Sequence, residues 1–127
     1  MNKNALGLLL LRIGLGEVFL WFGVDKFFHP FPWSQYIPPW FTSLLPMKAF
    51  TFIYLMGVFE SIVGLLVLLG LFTRLASVLS ALLLLGIIGS LGYNEIMVRD
   101  AGLFFLALGI SMLGAGEWSL DQKMRKV

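Results

Sequence analysis

The chain has 127 residues, 59% of them hydrophobic and 13% charged, with a net charge of +2 and a mean hydropathy of +0.93. A water-soluble domain of this length needs far more charged surface, and so small a net charge gives no basis for nucleic-acid binding. The absence of cysteine excludes disulfides, thiolate metal ligands and a dithiol redox pair within this chain.

About 20 mostly apolar residues are needed to cross the hydrocarbon core as a helix. Four runs meet that need: Ala5–Phe28, Ala49–Leu71, Arg74–Leu91 and Met97–Ala115. The first begins like a signal peptide, but it runs too long and lacks a small-residue cleavage site, so it reads as a retained helix. Between the first two runs lies HPFPWSQYIPPWFTSLLPMK, which holds all five prolines. Trp33, Tyr36, Trp40 and Phe41 in it suit the membrane–water interface. A short interfacial helix is expected to start near Pro39, with a plain surface loop as the alternative. Thr73 in LFTR is expected to cap the third helix, and Gly92 and Asn94 in GYNE to form the last turn.

The fold class expected is therefore all-α. It is an antiparallel bundle of four transmembrane helices with a proline- and aromatic-rich interfacial loop between the first and second. Residues 1–127 form one integral membrane domain, and the lipid bilayer is its first partner. Lys3, Arg74, Lys123, Arg125 and Lys126 fall on one side; Lys26, Lys48 and Arg99 fall on the other. Basic residues favour the cytoplasm, so both termini are expected there, in a multi-pass protein of the cell membrane. Gly16 with Gly23, Gly57 with Gly64, and Gly102 with Gly109 each share a helix face and are candidates for close helix packing.

Three ionisable residues stand inside the apolar runs. At 1.5 Å per residue, Arg12 lies about 10 Å, Glu17 about 18 Å and Glu60 about 16 Å from the cytoplasmic end. A charge at the centre of a membrane helix costs about 2.5–3.5 kcal/mol, so these groups are expected to face the interior and pair. Arg12 is the expected counter-ion of Glu60, with Glu17 competing for it. One cation and two carboxyls make the cluster either a candidate ligand and proton site or a buried ion pair that only fixes helix register. A second candidate polar layer holds Asp25, Lys26, Arg99 and Asp100, with pairs Lys26–Asp100 and Asp25–Arg99 expected across the bundle. No metal site is expected, because His29 is the lone histidine and cysteine is absent. No nucleotide-binding loop, haem-ligand spacing or catalytic triad is present either.

Several residues together resemble the DoxX family of small four-helix membrane proteins, over nearly the whole chain. They are Arg12, Gly16, Gly23 and Lys26, then Glu60, Gly64 and Gly70 in ESIVGLLVLLG. Thr73-Arg74 in LFTRLAS, Asp100 in RDAGL, and Gly114, Gly116, Ser119 and Asp121 in GAGEWSLD complete the set. The resemblance implies kinship with membrane subunits of thiosulfate:quinone oxidoreductases and with membrane thiol and oxidative-stress complexes. More distant relatives are cargo receptors or assembly chaperones. The chain departs from redox members in lacking cysteine, and it carries Trp21-Phe22 where many members show a histidine before the glycine. The function expected is a membrane subunit of a quinone-linked or thiol redox system, without redox activity or a cofactor of its own but with a quinone as bound ligand. The alternative is a non-catalytic adaptor or assembly chaperone. A protein partner or a homo-oligomer is expected in either case.

Overall fold

In the computed structural model, residues 2–91 and 94–125 are described. Seven helices follow in order: α1 (Lys3–Phe28), α2 (Pro30–Ser34), α3 (Pro39–Thr42), α4 (Ala49–Leu69), α5 (Thr73–Leu91), α6 (Glu95–Leu113) and α7 (Leu120–Arg125). Helices α1, α4, α5 and α6 are each long and apolar enough to cross a membrane. Among the described residues there is no strand. The expected all-α architecture with four spans is the observed one.

Helix ends have local causes. The Asn2 side chain accepts from Asn4 N–H to cap α1, and Asn94 accepts from Met97 N–H to cap α6. That cap starts the fourth span two residues earlier than expected, at Glu95. The turn expected at Gly92 lies outside the described residues. Gly70 ends α4 in the left-handed conformation, φ 71°, which favours glycine. Thr73 does not cap the third span. The Asp121 carboxylate does so from a distance in sequence, accepting from Phe72 N–H at 2.8 Å and Thr73 N–H at 2.9 Å.

The bundle is two tight helix pairs, α1 with α4 and α5 with α6, joined more sparsely to each other. Glycines explain the first pair. A Cβ at Gly16 would lie 2.9 Å from Gly64 O, and one at Gly57 would lie 2.8 Å from Gly23 O. The two helices therefore pack backbone to backbone, which is how membrane helices gain dispersion contacts without a hydrophobic drive. Gly102 and Gly109 do not do this, since nothing lies within 4 Å of a Cβ at either. Leu15, Phe19, Val63, Val67, Ala76, Leu84, Ala107 and Ile110 fill the core between the pairs.

The interfacial helix expected near Pro39 is α3, and α2 is an additional turn of helix before it. Proline at the first position suits both, because its missing N–H would have no helical partner there. The connection folds back on the bundle through aromatic contacts. Trp33 meets Phe22 edge-on at 5.4 Å between centroids, and Phe41 meets Phe52 at 5.4 Å.

Candidate functional site

The charged residues sort into two ends of the bundle and one outer face. Register decides the sorting. Gly16 sits level with Gly64, and Gly23 with Gly57 and Ser61. Arg12 is thereby level with the last turn of α4, about two turns from Glu60. The expected Arg12–Glu60 pair is not formed.

Arg12 instead donates to four backbone carbonyls: Nε to Val67 O at 3.1 Å, Nη2 to Leu68 O at 2.9 Å, and Nη1 to Ala115 O at 3.0 Å and Trp118 O at 2.8 Å. The last carbonyls of a helix lack intrahelical partners and carry the negative end of its dipole, so a buried guanidinium is well matched there. Gly70 leaves the room, since a Cβ on it would lie 2.7 Å from Arg12 Nη2. The Asp121 amide donates to Gly70 O at 2.9 Å, and the Ser119 hydroxyl accepts from Gln122 N–H to cap α7. Arg12, Gly70, Ser119 and Asp121 thus tie α1 to the end of α4, the start of α5 and the turn after α6 in one structural knot. The S-x-x-Q pattern Ser119–Gln122 was the available sign of α7, which sequence reasoning missed.

Asp121 is held below the usual carboxylate range. Burial pushes its carboxyl up, but the Thr73 and Phe72 backbone amides together outweigh that by bonding the ionised form.

Glu17 joins neither group. It is exposed on the outside of α1 and has no hydrogen-bond or ion-pair partner among the described residues, so it does not compete for Arg12.

The opposite end holds the second layer, with different pairings from those expected. Lys26 Nζ meets Glu60 Oε2 at 2.6 Å, with both side chains buried. Gly23 and Gly57, each one turn away, bring the helices close enough for that short reach. Arg99 pairs with its neighbour Asp100, its Nε at 3.2 Å and Nη2 at 3.1 Å from one carboxylate oxygen. Asp25 turns outward to His29 Nδ1 and Trp33 Nε1, each at 2.8 Å. Lys26–Asp100 and Asp25–Arg99 are therefore not pairs. Aromatic faces complete the layer: Lys26 Nζ lies 4.0 Å from the Trp33 ring centroid, and Arg99 lies 5.1 Å from that of Phe22.

Lys26, Glu60, Arg99 and Asp100 line a cavity of about 340 Å³ between the two helix pairs. Phe19, Ile53, Met56, Leu83, Ile87 and Leu103 give it an apolar wall, and Trp33, Tyr36 and Phe41 reach it from the interfacial connection. A long apolar body ending in a hydrogen-bonding head matches such a space. Lys26 and Arg99 supply donors, while Glu60 and Asp100 supply carboxyls that can hold or release a proton. Among the described residues no group of three His, Cys, Asp or Glu side chains is placed to hold a metal ion.

A sequence model of the DoxX family matches residues 7–93. That span contains Arg12, Lys26, Glu60 and Gly70 and ends before Arg99. The chain is also similar to the uncharacterized membrane protein Rv3486 of Mycobacterium tuberculosis, at 32% identity over 136 residues, covering 91% of this chain and 80% of the relative. No solved structure matches.

Proposed function

The chain belongs to the DoxX family, and on that footing we propose that it is the membrane subunit of a quinone-linked redox system, with the cavity between its helix pairs as the quinone site. One observation carries the reading: a buried Lys26–Glu60 pair in the wall of a largely apolar cavity between the spanning helices. A purely structural ion pair has no need of open space beside it. The fit to a quinone is chemical. Its ring oxygens accept hydrogen bonds, which Lys26 and Arg99 can donate, and its isoprenoid tail matches the apolar wall. When bound, a quinone supplies the electron acceptor that this cysteine-free chain lacks. The chain's own residues bind and orient the ring, exclude water through the Trp33 and Phe41 cover, and hold protons at the Glu60 and Asp100 carboxylates. In this reading the termini face the cytoplasm, supported by the excess of Lys and Arg on that side.

The test is ligand-induced stabilisation of the purified protein in detergent. A short-chain ubiquinone or menaquinone analogue at about 100 times Kd adds roughly 2.7 kcal/mol and raises Tm. The shift is expected to shrink for Lys26→Met and Glu60→Gln and to persist for Glu17→Leu, whose side chain lies outside the cavity. No shift with any quinone analogue overturns the proposal.

A further inference from the structure

Glu17 stands at mid-membrane on the lipid-facing side of α1. By helical rise it is about 21 Å from Lys3 and about 16 Å from Phe28, far beyond the reach of a glutamate side chain to either interface. It is exposed, and no described residue pairs with it. A carboxylate left facing hydrocarbon is unfavourable, and intramembrane charges normally pair.

The residues around it form a seam. Leu10, Gly14, Glu17, Trp21, Val24 and Phe28 recur at alternating spacings of four and three, the pattern by which one helix meets another. Leu10, Trp21 and Phe28 are 59%, 72% and 74% exposed, and nothing lies within 4 Å of a Cβ placed on Gly14. The seam therefore has bulk at its ends, space at Gly14 and an unpaired acid at Glu17.

We infer that this face of α1 docks a transmembrane helix of another protein that carries a lysine or arginine at mid-membrane depth. Charge complementarity selects that partner over a second copy of this chain. Among the described residues, Arg12 is spent on four carbonyls and Lys26 on Glu60. Lys48, Arg74 and Arg99 lie at or near the ends of their spans. A second copy thus brings no free cation to the depth of Glu17, and a symmetric α1–α1 contact sets carboxyl against carboxyl. None of these seam residues lines the cavity, so docking on this face is independent of whether a quinone binds there.

The test uses the full chain in phosphatidylcholine vesicles, labelled through Ser43→Cys, which is exposed and unique as a thiol in this cysteine-free sequence. The probe is a synthetic leucine–alanine transmembrane peptide with one central arginine, its association read by energy transfer. The arginine peptide is expected to bind at least about tenfold more tightly than the same peptide with leucine at that position. That preference is expected to vanish for Glu17→Leu. Gly14→Leu, which fills the seam at a position where an added Cβ meets no atom within 4 Å, is expected to weaken binding of the arginine peptide. Equal binding of the two peptides to the unaltered chain overturns the inference without recourse to any variant. Energy transfer between donor- and acceptor-labelled copies that is lost on Glu17→Leu overturns it as well, since a second copy then occupies the seam.

Discussion

Lys26 Nζ lies 2.6 Å from Glu60 Oε2, and the two side chains are 8% and 4% exposed. This pair joins the C-terminal turns of α1 to the middle of α4. Removing one partner of a buried pair leaves an uncompensated charge and costs about 3–5 kcal/mol, whereas removing both costs less. Lys26→Met and Glu60→Gln are therefore expected to be strongly non-additive in a thermal double-mutant cycle in detergent. The corresponding cycle between Arg12 and Glu60 is expected to be additive, because those residues share no contact.

Arg12 is expected to be the most sensitive position for stability. Each hydrogen bond from a charged donor contributes about 1.5–3 kcal/mol, and Arg12 makes four. Arg12→Leu is expected to lower stability by at least about 3 kcal/mol, since it also strands buried carbonyls. Arg12→Lys is expected to recover little, because an ammonium cannot reproduce the planar fork that spans α4 and the α6–α7 turn. Urea or thermal unfolding in detergent reads both variants.

Gly23 and Gly102 both lie in spanning helices but are expected to respond oppositely to alanine. A Cβ at Gly23 would lie 2.6 Å from Ser61 N, so Gly23→Ala forces α1 and α4 apart at a cost of about 1–3 kcal/mol. Gly102→Ala meets open space and removes backbone freedom from the unfolded chain, so it is expected to be neutral or stabilising by up to about 1 kcal/mol. Melting curves of the two variants separate the cases.

The Asp121 cap carries a pH dependence. Its folded carboxyl titrates below the ordinary aspartate value near 3.9, so its stabilisation is full above about pH 5 and fades as pH falls through the folded value. Asp121→Asn keeps the shape but not the charge, and is expected to cost about 0.5–2 kcal/mol at pH 7. The difference in Tm between Asp121→Asn and the parent is expected to narrow as the pH is lowered toward 3. A difference that stays constant across that range contradicts the assignment.

Periodicity and turn chemistry made the spans and the α3 turn readable in the sequence. The glycine pairs on α1 and α4 were readable for the same reason, since close approach requires a missing Cβ. The pairings of the charges were not. Depth alone placed Arg12, Glu17 and Glu60 within reach of one another, but depth ignores rotation about the helix axis. Rotation puts Glu17 on the outside of α1, and register carries Arg12 to the end of α4. The sequence reading also matched charges only with charges. Helix-end and turn carbonyls are invisible as charges, although they are what Arg12 bonds. Lys26–Glu60 became evident only once Gly23 and Gly57 had fixed the distance between the helices.

Photo-cross-linking with an azidoquinone asks whether the cavity lined by Lys26 and Glu60 holds a quinone ring, as proposed. Label is expected on cavity-lining peptides of α4 or α5, around Met56 or Ile87, competed away by excess unlabelled quinone and reduced by Glu60→Gln. Label confined to the lipid-facing side of α1 around Trp21, or label that excess quinone does not displace, contradicts it.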